Sequence, residues 1–258
     1  MSGPARNRKL LKRRIDDFLW RDRSMPVSRL RDLLAGPFSS LGRVAIVGGF
    51  VRDFARDGRR AFRSDIDLVI EAPRHEVDAL ALELAAIPNR FGGYAFHHPH
   101  WKVDFWSLET TWAVVNGHAT ADRLEDIVNV TFFDCDAILY DLGNKRIVAD
   151  DAYFSRLAMN QIDINLRPNP SEEGNLLRAI RRVFCWGAEP GPALRTFIVQ
   201  NLDDDCLNRI NIIEKSLYPI AVTDFFLNAA ALKCGITDPV IRTNLETSLA
   251  RQLSLPGF

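Results

Sequence analysis

The apolar positions change their period along the chain, and the changes divide it into elements. Over residues 5–22, Leu10, Leu11, Ile15, Phe18 and Leu19 recur at spacings near three and four, with Arg8, Lys12, Arg13 and Arg14 between them. That spacing predicts an amphipathic helix with a basic outer face. A shorter helical stretch over 27–35 is stopped by Gly36-Pro37. Val44-Ala45-Ile46-Val47 reads as a strand ended by Gly48-Gly49, followed by one or two helical turns from Phe50 to Arg56 and an Arg-rich loop from Asp57 to Ser64. Further strands are expected over Asp65–Ile70 and Lys102–Leu108, with a helix over 74–86 and a turn at Asn89–Gly93 between them. Residues Val128–Leu142 hold mixed apolar material.

Past Arg167-Pro168-Asn169-Pro170 the texture changes. Leu176, Leu177, Ile180 and Phe184 give a helical period over 172–186, and helical patterning continues to about residue 252. The pattern therefore predicts an α/β front, residues 1–165, that carries the basic helix, and a helical back, residues 166–258.

Composition adds exclusions. With 258 residues, 47% of them hydrophobic, the chain has ample material for a core, which excludes a mostly disordered protein. No uncharged apolar run approaches the roughly 20 residues a bilayer needs, so no membrane insertion is expected. Cys135, Cys185, Cys206 and Cys234 are scattered without a CxxC pair, which supports neither a zinc knuckle nor a disulfide framework. No apolar signal-peptide core follows the start MSGPARNRKL, and a reduced, cytoplasmic setting is expected. The net charge is zero, but residues 1–63 carry 16 Lys+Arg against 6 Asp+Glu. A basic front end on an acidic remainder suits either an anionic partner or complementation within the fold.

The candidate chemistry lies in residues 44–71. Glycines where a strand turns into a helix let backbone N–H groups approach phosphate oxygens, with the helix N-terminus behind them. A Gly-Gly turn alone is ordinary, and no P-loop Lys-Ser or Lys-Thr follows. Asp65 and Asp67, two apart, face the same side of a strand start. Side by side they repel unless solvated or sharing a cation such as Mg²⁺. On the next candidate strand, Lys102, Asp104 and Trp106 share a face, and Asp104 could join the pair from a neighbouring strand. Three such carboxylates suit two divalent ions about 4 Å apart, as phosphoryl transfer uses them. His97-His98-Pro99-His100 reads as a strand end or loop rather than a zinc site.

The order Gly48-Gly49-Phe50-Val51-Arg52-Asp53, then Asp65-Ile66-Asp67, then Asp104 resembles the polymerase-β-type nucleotidyltransferase superfamily, most of all the head domain of CCA-adding enzymes and bacterial poly(A) polymerases. Asp136-Ala137-Ile138-Leu139-Tyr140-Asp141 and Leu177-Arg178-Ala179-Ile180-Arg181 resemble further segments of that family. The resemblance implies an α/β (α+β) palm with a mixed sheet and a short helical C-terminal region. It implies catalysis by Asp65, Asp67 and Asp104 with two Mg²⁺ ions (or Mn²⁺), and nucleotide binding by Gly48, Gly49, Arg52, Ser64, Arg178 and Arg181. The family's Arg-Arg-Asp-x-x-x-Asn motif is replaced here by Val130–Asp136, and its Glu-Asp-x-x-Arg motif by Ser171–Asn175, which lacks the arginine. The transfer chemistry is kept while the base-selecting groups differ.

The expected activity is template-independent transfer of a nucleoside monophosphate from an NTP or dNTP to a hydroxyl of a nucleic-acid 3′ end, tRNA included, with release of pyrophosphate. Two alternatives keep the same chemistry. One is an antiphage-defence enzyme making oligonucleotide signals, in one form primed on Ser2 after removal of Met1, with an effector as protein partner. The other is a nucleotidyltransferase toxin with an antitoxin. A head that only binds nucleotide or RNA is the non-enzymatic reading.

Overall fold

The computed structural model of the protein describes residues 3–62, 64–98, 100–244 and 247. Ser2 and Pro99 lie outside the described residues. The chain divides into two compact units: the chain up to Ala158 together with Asn165–Pro170, and Met159–Ile164 together with the chain from Ser171 onward.

The first unit opens with helix α1 (Arg8–Asp16), where the Asn7 side chain accepts the Leu10 N–H as a cap. The chain continues through a widened turn, Asp17–Arg21, into α2 (Met25–Leu33), which has Pro26 at its start. A second widened turn, Leu34–Phe38, carries the chain past the expected stop at Gly36-Pro37. Such a turn relaxes the clash that a proline ring makes with the preceding turn of a regular helix. Then follow β1 (Arg43–Val47), α3 (Gly49–Arg56), β2 (Ile66–Glu71), α4 (Arg74–Glu83), β3 (Ile87–Pro88), β4 (Tyr94–His98), β5 (Trp101–Ser107), α5 (Trp112–Val115), β6 (Ile138–Asp141), β7 (Arg146–Ala149) and α6 (Tyr153–Ala158).

These strands form one sheet in the order β3-β4-β5-β2-β1-β6-β7. Its pairings are antiparallel except β2 with β5, which run parallel. The mixed sheet flanked by helices is the palm that the resemblance implied. Alternation along the strands sorts the side chains. Ile46, Leu68, Ile70, Val103 and Phe105 enter a core with Leu11, Phe50 and Phe54 from the helices. Ala45, Val47, Val69 and Leu139 face the other way, against Leu124 and Ile127.

Much of the basic front end is used inside this unit. Arg14 donates to the carbonyls of Phe54 and Gly3 at 3.1 and 2.8 Å. Arg31 donates to the carbonyls of Leu19 and Asp22, and Arg43 pairs with Glu71, Glu125 and Asp141.

The second unit contains β8 (Gln161–Ile162), α7 (Glu172–Trp186), β9 (Glu189–Pro190), α8 (Pro192–Asn201), α9 (Asp204–Leu217) and α10 (Ala229–Thr237). It is mostly helical, as the pattern predicted, and adds one short parallel pairing, β8 with β9. The Ser171 side chain caps α7, and Gly187 ends it in the left-handed conformation at φ +60°. No helix among the described residues is long and apolar enough to cross a membrane.

Candidate active site

The two glycines between β1 and α3 serve different needs. Gly48 has φ +59° and ψ −125°, a conformation that a residue with a Cβ enters only under strain. A Cβ placed there would lie 3.6 Å from Oδ2 of Asp67, so the turn runs close beside that carboxylate. Gly49 is required for space: a Cβ there would lie 2.6 Å from Cβ of Ser64. Removing both side chains brings the start of α3 against the start of β2.

The strand register gathers the acids. Val47 pairs with Asp67 across β1 and β2, and Asp67 pairs with Asp104 across the parallel β2 and β5. Asp65 precedes β2 by one residue. Burial pushes the Asp67 carboxyl up to about 7, and the charges of Asp104 and Asp65 push the same way, while Arg52 opposes them. Nζ of Lys102 lies 2.6 Å from Oδ2 of Asp65 and 3.3 Å from Oδ2 of Asp104. Those carboxylates raise the Lys102 pKa, the hydrogen bond to Asp65 most strongly.

Arg52 and Ser64 belong to a second layer behind this cluster. Arg52 donates through Nη1 to Asp136 Oδ1 at 2.6 Å, and through Nε and Nη2 to Asp53 Oδ1 at 3.0 and 2.8 Å. Ser64 Oγ donates to the other Asp53 oxygen at 3.0 Å. The Arg52 side chain is only 12% exposed. Burial works against its charge, but Asp136 and Asp53 outweigh it and hold the guanidinium above the ordinary arginine value. The network joins α3, the start of β2 and the short turn Asp134–Asp136 into one rigid floor.

A cavity of about 600 Å³ opens at one side of the cluster, with Ser64, Asp65 and Lys102 in its wall.

Solved structures resemble the fold of this chain. A tRNA-processing enzyme in an apo form superposes with a TM-score of 0.53 over 85% of this chain and 59% of its own, at 15% identity. At this identity the likeness is one of fold. The Bacillus stearothermophilus CCA-adding enzyme in complex with CTP aligns over 77% of this chain and 50% of its own, at 19% identity and a TM-score of 0.49. A tRNA nucleotidyltransferase with a primer tRNA and an incoming ATP analog aligns over 81% and 57%, at 16% identity and a TM-score of 0.43. The chain thus spans between 50% and 59% of the length of these three structures. No protein-family model and no curated protein matches the sequence.

Within this fold, Gly48, Gly49, Ser64, Asp65, Asp67 and Asp104 stand together at one end of the sheet, with Arg52 behind them. Arg178 and Arg181 lie on α7 in the second unit. Arg178 is exposed and donates to Asn175 at 2.8 Å. Arg181 pairs with the fully buried Glu214, donates to the Ile220 carbonyl at 2.9 Å and lies over the Tyr218 ring. Lys102, Asp53 and Asp136 were not assigned roles from the sequence. Lys102 shares a strand face with Asp104, a signal that was legible there, whereas the Arg52 contacts depend on tertiary packing.

The donor set of three carboxylates, one of them desolvated, suits a hard divalent cation. Among the described residues, no group of three or more His, Cys, Asp or Glu side chains is arranged to hold a metal ion. The Lys102 ammonium pairs with both Asp65 and Asp104. The residue types are ones that suit a divalent metal.

Proposed function

We propose that the chain is a template-independent nucleotidyltransferase. It transfers a nucleoside monophosphate from an NTP or dNTP to a hydroxyl of a nucleic-acid 3′ end, tRNA included. The observation that carries this reading is the register that sets Asp67 opposite Asp104, with Asp65 beside them and the Gly48-Gly49 turn against Asp67.

The acceptor oxygen forms a new bond to the α-phosphorus as the bond from that phosphorus to the bridging β-phosphate oxygen breaks. Pyrophosphate leaves, and the hydroxyl proton passes to a carboxylate and then to solvent. Two Mg²⁺ ions, or Mn²⁺, held by Asp65, Asp67 and Asp104 would supply the Lewis acidity. The backbone N–H groups at the start of α3 would face the triphosphate. Arg52 and Ser64 position this turn through Asp53 and Asp136. Burial first, and then the charges of Asp104 and Asp65, raise the proton affinity of Asp67, and a bound cation would offset both.

The test supplies each labelled NTP and dNTP in turn with Mg²⁺, with and without total tRNA, beside an Asp65→Ala/Asp67→Ala control. Label entering tRNA only with the intact acids is the expected result and fixes the base. Label in free oligomers or on the protein itself would move the reading to signal synthesis, the latter primed at a residue such as Ser2. No incorporation with any nucleotide would overturn the enzymatic reading and leave a binding module.

A further inference from the structure

Much of the lining of the cavity beside Asp65 has no part in the transfer chemistry. Phe18 and Val27, from the N-terminal helical segment, form one wall. Phe62 and Trp101 line the cavity too, with ring centroids 5.9 Å apart and planes inclined by 19°, and Phe18 meets both edge-on. Trp101 is held in place by its indole N–H, which donates to the Pro26 carbonyl at 2.9 Å. Arg59, His100 and Lys102 bring basic groups to the rim, and Asp65 is the acid in the lining. Arg59 pairs with Asp22 and reaches over the Phe18 ring, yet its side chain stays 60% exposed.

Resting on the function proposed above, we propose that this cavity binds the terminal nucleotide unit of the acceptor and presents its hydroxyl to Asp65. The volume of about 600 Å³ lies within the roughly 300–1,000 Å³ of small-molecule sites. A nearly parallel aromatic pair offers a stacking platform for a nucleobase of any sequence. Arginine, lysine and histidine at the rim suit a phosphate oxygen rather than an uncharged acceptor. Lys102 belongs to both places: it lines the cavity and touches Asp65 and Asp104, so acceptor phosphate and acid cluster compete for one ammonium. The N-terminal segment thereby gains a purpose beyond covering the sheet, because it closes one side of the pocket.

The acceptor unit is a strand end or a free nucleotide, and two probes separate these sources. A fluorescein-labelled, mixed-sequence hexaribonucleotide is titrated by polarisation without NTP, with unlabelled nucleoside monophosphates as competitors. Arg59→Ala and Trp101→Leu are compared with the wild type after thermal melting has confirmed that each is folded. The Arg59 side chain is 60% exposed. Each variant is expected to weaken binding of at least one probe about tenfold, the usual scale of a lost stacking or phosphate contact. In turnover, the acceptor KM should rise by a similar factor while the NTP KM stays within about twofold. Unchanged probe binding and acceptor KM in a protein that still transfers nucleotide would overturn the pocket and leave the enzyme reading intact. Loss of transfer with probe binding that still depends on Arg59 would sink the enzyme reading and leave the pocket. A wild type that binds neither probe overturns the pocket outright.

Discussion

The ammonium of Lys102 lies 2.6 Å from Asp65 and 3.3 Å from Asp104, in the place where a cation shared by those carboxylates would be expected. It draws these acids together, and under the function proposed above a divalent ion would compete with it. Lys102→Met should therefore tighten Mn²⁺ binding, read from the loss of the free-ion EPR signal. Two half-exposed ion pairs are worth roughly 1 kcal/mol together, so the expected gain is about fivefold. An unchanged affinity would mean that the lysine and the metal do not compete.

Gly49 makes a second prediction. A Cβ there would lie 2.6 Å from Cβ of Ser64 and 2.9 Å from its Oγ, and the Cβ of Ser64 cannot rotate away. Gly49→Ala should cost about 1–3 kcal/mol, the usual range for an overpacked contact. Ser64→Gly in the same chain should restore part of it, despite losing the hydrogen bond from Ser64 to Asp53. Denaturant melts of the two single variants and the double variant measure that coupling. Simple additivity would show that the two positions do not press on each other.

Glu125 sets the pH response of the far side of the sheet. Hydrogen bonds from Arg43, then the charges of Arg43 and Arg146, hold its carboxyl down at about 2, against an ordinary 4.5. A carboxylate with a depressed folded pKa adds stability that is fully present above the unfolded value and is lost as pH falls through the folded one. Glu125→Gln should therefore cost roughly 1–2 kcal/mol near pH 7, after allowing for solvent screening. The gap between the variant and the wild type should shrink steadily from pH 4.5 towards pH 2. Thermal melts across that range provide the check, and a constant gap would remove the ion pair as its cause.

The strands that carry the acids were legible because their apolar residues alternate or run together between turn signals. Residues 44–47, 65–70 and 102–108 match β1, β2 and β5 to within a residue or so. Helix α7 matched its expected range, 172–186, because Ser171 and Gly187 mark its two ends. The sheet order was not legible, since the parallel pairing of β2 with β5 depends on a crossover through α4, β3 and β4. For the same reason, the sequence supplied Asp104 as a possible partner but not its register with Asp67. Arg52 shows the other limit. Its motif position suggests phosphate, while its contact with Asp136 joins residues 84 positions apart.

Arg181 yields the last prediction, because two demands fall on one guanidinium. The family resemblance assigns it to the nucleotide, whereas the structure engages it with Glu214. That carboxylate is fully buried and also accepts the N–H groups of Val222 and Thr223 at 3.0 Å each and the Thr223 hydroxyl at 2.7 Å. Four donors converge on one side chain, so its loss leaves the arginine and two backbone amides without their acceptor. Glu214→Leu should cost about 3–5 kcal/mol, the range for breaking a buried pair from one side. Arg181→Met should cost less, because Glu214 keeps three donors. Hydrogen exchange at Val222 and Thr223 reads the effect locally and avoids treating two compact units as one cooperative transition. Faster exchange in both variants, steeper in Glu214→Leu, is expected if Arg181 is structural. An Arg181→Met protein with unchanged exchange but weakened NTP binding would return this arginine to the nucleotide.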